Sequence, residues 1–339
     1  MSRNPQPING VLNINKPPGL TSHDVVNCVR KISGIKKIGH AGTLDPFATG
    51  VLLVLIGSAT RLMEYVSLLP KTYTAQLTLG ATSDTDDLTG RISKSETRAG
   101  KTGAGKTPGV NEKTPGVKEA PVEEARVKQV LASFVGPQLQ TPPPYSAVKI
   151  KGWKAYEAAR RGSPLKLPPR HVTIHNIRLI DYNYPLLSIK VTCGSGTYIR
   201  ALARDIGSGL GVGAYVSKLR RTSIGPPLTK PKTYMKPISG QKFNLKNATS
   251  LAQLTVDNLF SHLLPPSILV THLPSITLLP SNVAQLKEGQ PIEWGTASPA
   301  IPKSLPSNQP IALLTQDNQL FGIGRFDPVT KLLSPDKIL

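Results

Sequence analysis

The spacing of apolar residues along the chain predicts a set of β-strands. Residues 71–79 and residues 188–193 alternate apolar and polar side chains, which is the pattern of strands that bury one face. The unbroken apolar run VLLVLI at 51–56 has the length of a strand buried on both faces. Further strands are expected at 10–14, 311–315 and 320–326, the last two joined by a turn at Asp317-Asn318.

Two other stretches have the period of amphipathic α-helices. The first begins at Thr21 and Asp24, which have the spacing of a capping box. Its apolar face is expected to contain Val25, Cys28, Val29 and Ile32. The second has apolar residues at 199, 202, 203, 206 and 210, with Gly211 as the expected stop. Together the strands and helices predict an α+β fold with a small, mostly β tail.

The length of 339 residues predicts two domains, and 39% hydrophobic residues are enough for a globular core. We place a larger domain at 1–245 and a small domain at 265–339. Residues 93–120 interrupt the first domain, repeat KTPGVNE as KTPGVKE and contain almost no large apolar side chain. This stretch is therefore predicted to be a disordered surface insertion.

The chain has a formal net charge of +21, which indicates a polyanionic partner such as a nucleic acid. Residues 149–221 contain 14 basic and 3 acidic side chains, whereas residues 265–339 contain 5 of each. Polyanion binding is therefore expected in the middle of the chain. An anionic membrane surface is the weaker alternative, because the sequence has no basic helix with a strong apolar face.

Several classes of protein are excluded by what the sequence lacks. It has no apolar run long enough to span a membrane, and its start, MSRNPQPING, has no signal-peptide pattern, so a cytoplasmic protein is expected. The 2 cysteines cannot build a disulfide framework, and the histidines form no metal-binding motif. Glycine motifs for phosphates or dinucleotides are missing as well. We therefore expect a reaction without metal or cofactor.

One candidate for chemistry is the motif GHAGTLDPFATG at 39–50, which places Asp45 on a loop just before the buried strand. A carboxylate on a loop beside a rigid strand can serve as a nucleophile or a base. The motif is also compatible with an ordinary turn, because Asp-Pro opens turns and glycine allows tight backbone geometry. The sequence by itself leaves both interpretations open.

Two further stretches contain candidate residues. In GTYIR at 196–200, Arg200 opposes the helix dipole at a helix start, which a carboxylate partner would explain. A solvated surface arginine is the alternative. In residues 142–162, basic side chains alternate with Tyr145, Trp153 and Tyr156, as in surfaces that hold unstacked RNA bases. A stiff proline-rich loop followed by a basic helix is the alternative there.

These stretches, in this order, closely resemble the TruB family of tRNA pseudouridine-55 synthases. The similarity begins with GVLNINKPPG at 10–19 and includes GHAGTLDPFATG, which resembles the family's catalytic signature. It continues through KTY at 71–73, GATSDTDDLTG at 80–90, GSGTYIR at 194–200 and LRR at 219–221. Apart from the insertion, the resemblance covers residues 10–225.

The resemblance implies a pseudouridine-synthase-type fold, with a mixed or antiparallel sheet flanked by helices and loops and a small PUA-like C-terminal domain. It implies an isomerase, an intramolecular transferase that flips uridine 55 out of the T-loop of tRNA and converts it to pseudouridine. The sugar moves from the nitrogen to C5 of the same uracil, so the reaction needs no cofactor. It does need a carboxylate close to C1′, comparable to the nucleophile of a retaining glycosidase.

The resemblance also assigns site residues by position. The catalytic residues are Asp45, Arg200, expected to pair with it and keep it ionised, and Tyr73, expected to stack on the uracil and to help with the proton at C5. The substrate-binding residues are expected to be His40, Tyr73, Tyr198 and Leu219. His40 is placed to fill the space that the flipped nucleotide leaves.

Residues 141–171 resemble the tRNA-gripping insertion of bacterial stand-alone enzymes, which predicts direct recognition of the T-arm without a guide RNA. The candidate RNA contacts are Lys16, Tyr145, Lys149, Lys151, Lys154, Arg160, Arg161, Arg220 and Arg221. The expected partner is thus tRNA, and the protein is expected to act as a monomer away from membranes. A tRNA-binding folding helper with secondary or no catalysis is the alternative function.

Overall fold

The computed structural model describes residues 8–94, 122–150, 152–225, 243–297 and 309–339. In chain order the strands are β1 (Gly10–Lys16), β2 (Ile38–Ala41), β3 (Thr49–Ile56), β4 (Lys71–Leu79), β5 (Ala81–Ser83), β6 (Ile92–Lys94), β7 (Gly136–Gln140), β8 (Lys149–Ile150), β9 (Trp153–Lys154), β10 (Arg170–Asn183), β11 (Leu186–Cys193), β12 (Ala214–Ile224), β13 (Phe243–Asn244), β14 (Thr249–Ser250), β15 (Ser275–Thr277), β16 (Ile292–Glu293), β17 (Pro310–Leu314), β18 (Leu320–Asp327) and β19 (Leu332–Ile338). The helices are α1 (Ser22–Ser33), α2 (Met63–Ser67), α3 (Glu124–Ser133), α4 (Ala155–Arg160), α5 (Ile199–Leu210), α6 (Pro280–Lys287) and α7 (Trp294–Ala297). The chain divides into two compact units, Met1–Pro70 with Ser223–Leu339, and Lys71–Thr222.

The sheet of the first unit is built around β3. This strand pairs antiparallel with β1, from Gly10 opposite Ile56 to Lys16 opposite Gly50, and antiparallel with β2. The short strand β14 continues the sheet in parallel with β1. Every side chain from Val51 to Ile56 is fully buried, as the unbroken apolar run predicts.

Helix α1 begins and ends where its sequence signals predict. The Thr21 hydroxyl accepts a hydrogen bond from the Asp24 backbone N–H (3.0 Å), and the Asp24 carboxylate accepts one from the Thr21 N–H (2.9 Å). The Thr21 hydroxyl also donates to the Asp24 carboxylate (2.7 Å), and this hydrogen bond together with the one from the Thr21 N–H holds the pKa of Asp24 below its ordinary value. The helix ends at Gly34, whose φ of +69° is the left-handed conformation that favours glycine.

The C-terminal part of the first unit forms a second, five-stranded sheet in the order β15-β17-β18-β19-β16. Strands β15 and β17 are parallel and the other neighbours are antiparallel. The predicted hairpin joins β17 to β18, and Asn318 adopts the left-handed conformation in its turn (φ +58°). Ala312 and Ile323 of this sheet pack in the same apolar cluster as Val11, so the tail shares a core with β1.

The second unit contains a sheet with the strand order β12-β4-β11-β10-β7. Strand β11 pairs antiparallel with β4 on one edge and with β10 on the other, and β7 pairs antiparallel with β10. The predicted alternation in β4 is confirmed, because Tyr73, Ala75, Leu77 and Leu79 are buried. Two short hairpins, β5 with β6 and β8 with β9, lie outside this sheet.

Helix α5 packs closely on the start of β12 in the second unit. It has the predicted bounds and the predicted stop at Gly211, which is left-handed with φ +77°. A Cβ atom on Gly207 would lie 2.2 Å from the Ala214 nitrogen and 2.4 Å from the Gly213 carbonyl carbon. Glycine at this position therefore permits an approach of helix and strand that a side chain would prevent.

The structure confirms the predicted α+β class and each of the predicted strands and helices. One detail differs, since the most deeply buried face of α1 consists of Ser22, Val25, Val26 and Val29, and Cys28 is only half-buried. The predicted insertion lies outside the described residues except for Ser93 and Lys94, which belong to β6. The predicted domain bounds of 1–245 and 265–339 stay a prediction, and the compact units follow a different division. None of the described helices is long and apolar enough to cross a membrane.

The close approach of α5 to β12 makes a testable prediction. Gly207→Ala should destabilise the protein although alanine favours a helix, because the new methyl group collides with the β12 backbone. We expect the free energy of unfolding in urea to fall by about 1–3 kcal/mol. Ser208→Ala, an exposed position of the same helix, is the matched control and should change it by less than about 0.5 kcal/mol. Equal stability of the two variants would contradict the packing described.

Candidate active site

The predicted site residues are divided between the two units. His40 and Asp45 belong to the first, and Tyr73, Tyr198 and Arg200 belong to the second, together with Leu219. Each group is held by the elements of its own unit. The pairing of Arg200 with Asp45 that the resemblance implies stays a prediction.

Asp45 lies on the loop between β2 and β3, and the chain on both sides of it is anchored. Leu44 is buried, its N–H donates to the Ser22 hydroxyl (2.8 Å), and its carbonyl accepts from the same hydroxyl (3.2 Å). The Asp45 carbonyl accepts the N–H of buried Ala48 (3.1 Å). Asp45 itself is half-exposed. The loop therefore fixes the backbone at Asp45 while its residue keeps access to solvent.

Lys16 is a further anchor of this loop. Its side chain is completely buried, and Nζ donates to the carbonyl oxygens of Pro17 (2.9 Å), Leu20 (2.7 Å) and Pro46 (3.2 Å). The Pro46 carbonyl also accepts the N–H of Gly19 (2.9 Å). The prediction that Lys16 contacts RNA is therefore wrong for this structure, because its ammonium group is inside the protein and bonded to backbone oxygens.

His40 is half-buried and lies in β2, opposite Val54 of β3. It is thus part of the same sheet that carries the Asp45 loop, five residues before the carboxylate. Its role as the side chain that fills the space of the flipped nucleotide stays a prediction.

Tyr73 and Leu219 are both buried in strands of the second unit. Tyr73 lies in β4 opposite Val191 of β11, and Leu219 lies in β12. Tyr198 is the residue before α5 and is half-buried. The amide of Gln140 holds it in place, because Gln140 Oε1 accepts the Tyr198 N–H (2.8 Å) and Nε2 donates to the Tyr198 carbonyl (3.1 Å).

Arg200, in the first turn of α5, is buried and bonded to two separate segments. Its Nη1 donates to the Thr85 carbonyl (3.0 Å) and lies 3.3 Å from Asp87 Oδ2, and its Nη2 donates to the Tyr145 carbonyl (2.9 Å). Asp87 is buried as well, and its other oxygen accepts from the Thr85 hydroxyl (2.8 Å). Arg200 is thus not a solvated surface arginine, and a carboxylate partner does accompany it.

Sequence reasoning missed three polar residues of this cluster, Asp86, Asp87 and Arg204. Arg204 Nη1 lies 2.7 Å from Asp86 Oδ2. Burial raises the pKa of Asp86 to about 6, against the lowering influence of Arg204 and Arg200. A signal was present in the sequence, because GATSDTDDLTG at 80–90 has three carboxylates in a chain with twice as many basic as acidic residues.

A second group of buried ionisable side chains lies where β4 begins and β11 ends, beside β12. Burial lowers the pKa of Lys71 to about 8, assisted by the positive charge of Arg221. Burial likewise raises the pKa of the Cys193 thiol to about 11. Arg221 is almost completely buried, so its predicted contact with RNA is wrong for this structure, whereas Arg220 is exposed.

The predicted RNA-gripping stretch forms the β8–β9 hairpin followed by α4. Lys149, Arg160 and Arg161 are exposed, and Lys154 forms an ion pair with Glu157 (3.2 Å). Arg161 stacks over the exposed ring of Trp153 at 5.4 Å from its centroid, and Arg160 lies 5.6 Å from the centroid of Tyr156. Half-buried Tyr145 contributes its carbonyl to Arg200. Lys151 lies outside the described residues.

One further observation concerns metal ions. Among the residues that the structure describes, no group of three or more His, Cys, Asp and Glu side chains is arranged to hold a metal ion.

Comparison with known protein families gives two matches along the chain. A model for the TruB family pseudouridylate synthase N-terminal domain matches residues 30–199. A model for the tRNA pseudouridylate synthase B C-terminal domain matches residues 200–267. The two segments follow one another without a gap and include Asp45, Tyr73 and Arg200.

Curated relatives agree with these models. A tRNA pseudouridine synthase B of Dehalococcoides mccartyi is 39% identical over 286 residues, which is 83% of this chain and 83% of the relative. The protein of the same name from Moorella thermoacetica is 36% identical over 340 residues, covering 97% of this chain and 99% of the relative.

Solved structures agree in fold. A chain from a Cbf5-Nop10-Gar1 complex superposes with a TM-score of 0.65 at 26% identity, over 94% of this chain and 78% of that chain. A chain from an H/ACA RNP bound to a substrate RNA gives a TM-score of 0.66 at 23% identity, over 97% of this chain and 84% of that chain. The second likeness supports the fold alone.

The buried position of Lys16 makes a prediction about stability. Lys16→Met keeps the length of the side chain but removes the donor that three carbonyl oxygens share. We expect the free energy of unfolding in urea to fall by about 2–4 kcal/mol, since hydrogen bonds to a buried charge are lost. Lys31→Met, an exposed position on α1, is the control and should have almost no effect. A Lys16→Met protein as stable as the control variant would show that these bonds do not hold the loop.

Proposed function

The chain belongs to the TruB family of pseudouridylate synthases, and from this premise we propose that it isomerises uridine 55 to pseudouridine in the T-loop of tRNA. Curated relatives that share 36–39% of its residues are named tRNA pseudouridine synthase B. The observation that supports this function most directly is the loop around Asp45. It presents one half-exposed carboxylic residue on a backbone fixed by the Ser22 hydroxyl and the Lys16 ammonium group.

The proposed reaction moves a sugar from one atom of uracil to another. The bond between N1 and C1′ breaks, a bond between C5 and C1′ forms, C5 loses its proton and N1 gains one. Nothing is oxidised or reduced, so the reaction is balanced without a co-reactant. Attack on the sugar, attack on the base and removal of a sugar proton are three routes to this product, and each begins with an ionised carboxylate at Asp45.

The other site residues take supporting roles in the proposal. The buried ring of Tyr73 stacks on the flipped uracil, and Leu219 and Tyr198 line the pocket beside it. His40 fills the space that the nucleotide leaves in the T-loop. Flipping costs a few kcal/mol, which stacking and pocket contacts offset. Arg200 pairs with Asp45 in this scheme, and the buried acceptors around Arg200 hold its guanidinium group in a fixed orientation.

We further propose that the enzyme recognises free tRNA and needs no guide RNA. The relatives named as tRNA synthases are 36–39% identical to this chain, whereas the chain from the Cbf5 complex is 26% identical. The exposed cations and aromatic rings of the β8–β9 hairpin and α4 provide a surface for direct RNA binding. Activity on a tRNA transcript without any added RNA or protein would support this proposal.

The proposed reaction is tested with tRNA transcript that carries tritium at C5 of uracil. Each isomerisation releases the label into water, because C5 exchanges its hydrogen for the sugar. We expect release by the wild type and none by Asp45→Asn, since the amide has the size of the carboxylate but cannot attack or take a proton. The affinity of Asp45→Asn for the transcript should stay within about twofold of the wild type.

Asp181→Asn, an exposed position on β10, is the matched control and should release tritium at the wild-type rate. Tight binding of the transcript by the wild type without any release would refute the isomerase function for this RNA. It would support the alternative of a tRNA-binding folding helper.

The proposed RNA surface predicts a strong effect of salt. Exposed cations bind phosphates by releasing counterions, so the affinity for tRNA should fall steeply between about 50 and 200 mM salt. Replacing Arg160 and Arg161 together by Gln should weaken binding and reduce the slope of log affinity against log salt by about 1–2. Lys287→Gln in the charge-balanced tail is the control and should leave the slope unchanged. Binding that does not change across this range of salt would contradict the proposed surface.

A further inference from the structure

Helix α5 directs two arginines, four residues apart, at the same two segments of the second unit. Arg200 bonds the Thr85 carbonyl and Asp87 on one side and the Tyr145 carbonyl on the other. Arg204 repeats this arrangement one turn later: it bonds the Asp86 carboxylate (2.7 Å) and the Thr141 carbonyl (2.8 Å). Both arginines thus tie the loop at 84–90 and the segment at 141–145 to α5.

The backbone at Asp86 has an uncommon conformation at this contact. Asp86 is a non-glycine residue with φ of +60°, a left-handed conformation that aspartate and asparagine tolerate better than most residues. Its N–H donates to the Ser83 carbonyl (3.1 Å), and its own carbonyl accepts the N–H of Val216 (3.1 Å). In this turn the neighbouring carboxylates of Asp86 and Asp87 reach different arginines.

We propose that the Asp86–Arg204 ion pair is a positioning device for catalysis. It holds the segments that supply the acceptors of Arg200, and so keeps the Arg200 guanidinium group in its working orientation. The inference rests on the proposed function, in which Arg200 acts beside the reacting uridine. Neither residue of the pair is assigned a role by the resemblance or by the comparisons.

The electrostatics of the pair predict that its hold on the segments around Arg200 depends on pH. The charged and titratable groups that influence Asp86 are Arg204, Arg200 and Asp205, and burial outweighs the two arginines, so its pKa is raised to about 6. Asp86 is therefore mostly ionised at pH 7 and increasingly protonated below pH 6. Protonation removes the charge that attracts Arg204, so the positioning should weaken on the acidic side.

The same electrostatics predict that the charge of Asp86 affects the positioning of Arg200 without stabilising the protein. A pKa raised in the folded state means that the ionised carboxylate is less favourable in the fold than in the unfolded chain. The contribution of Asp86 to stability consequently declines as the pH rises from about 4 through 6, so its charge does not stabilise the protein at pH 7. Arg204 is about one third exposed, so water can hydrate it when its partner is lost. Asp86→Asn should therefore lower activity without lowering stability.

The test measures kcat and KM of tritium release on a tRNA transcript from about pH 5 to 8, together with unfolding in urea. For Asp86→Asn we expect kcat at pH 7 to fall about tenfold with KM nearly unchanged, because misplaced catalytic groups slow the chemical step. We expect the kcat of the wild type to decrease below about pH 6, where Asp86 is protonated, and we expect Asp86→Asn to lack this decrease. The free energy of unfolding at pH 7 should be equal to the wild-type value or higher.

A double-mutant cycle checks that the two residues act as a pair. Arg204→Gln should show the same loss of kcat, and Asp86→Asn combined with Arg204→Gln should be no slower than either single variant. Asp205→Asn is the matched control: it removes the other carboxylate bonded to Arg204 (Nε to Oδ1, 3.1 Å) and leaves both segments untouched. Its kcat should stay at the wild-type level.

Four outcomes overturn the inference. Wild-type kcat and pH profile in Asp86→Asn would show that the pair does not position the site. A loss of activity that matches a loss of stability would show a purely structural role, and additive effects in the double variant would show that the residues act separately. Failure of the wild type to release tritium would refute the proposed function itself, and this inference with it.

Discussion

A buried cation is stable only where several oxygen atoms take the place of its water, and this requirement determines the surroundings of Lys16 in the first unit and of Arg200 in the second. Lys16 donates to the carbonyl oxygens of Pro17, Leu20 and Pro46, so the chain directly after Asp45 is tied to the end of β1 and to the segment that follows it. Arg200 donates to the carbonyl oxygens of Thr85 and Tyr145 in the same way, and so joins their two segments. Neither set of segments can move apart without leaving a buried charge with too few partners. Rigid backbones at the two places where chemistry is proposed follow from this constraint.

The three aspartates discussed at the candidate site, Asp45, Asp86 and Asp87, have surroundings of two kinds. Asp86 and Asp87 are buried and paired with arginines, so their charges fix the loop at 84–90. Asp45 is half-exposed, and the contacts that fix its loop are made by backbone atoms and by neighbouring side chains. A residue that is proposed to react with the substrate needs access to it, whereas a positioning group needs enclosure. The sequence contains all three carboxylates, but only the fold shows which of them is enclosed.

Local signals in the sequence predicted most of the fold, because the capping box at Thr21, the stop at Gly211 and the buried run at 51–56 act within a few residues. The motif around Asp45 could be found in the same way. The network of Arg200, Asp86, Asp87 and Arg204 could not, because it joins residues more than one hundred positions apart that the chain brings together only after folding. The sequence likewise did not show that Lys16 and Arg221 are buried. Both were predicted to be surface cations that contact RNA, and both lie in the interior of the structure.

Because these cations are buried, only part of the positive charge behind the net charge of +21 is available to bind a polyanion. Lys16, Lys71, Arg200 and Arg221 are buried, so they do not meet a polyanion at the surface of the protein. Lys149, Arg160, Arg161 and Arg220 are exposed, and the stacking of Arg161 on Trp153 places a cation beside a ring that can accept an RNA base. Salt screens exposed charges far more than buried ones. Raising the ionic strength should therefore release RNA from the exposed cations while the buried cations continue to hold the loops, so that binding and the integrity of the site are controlled separately.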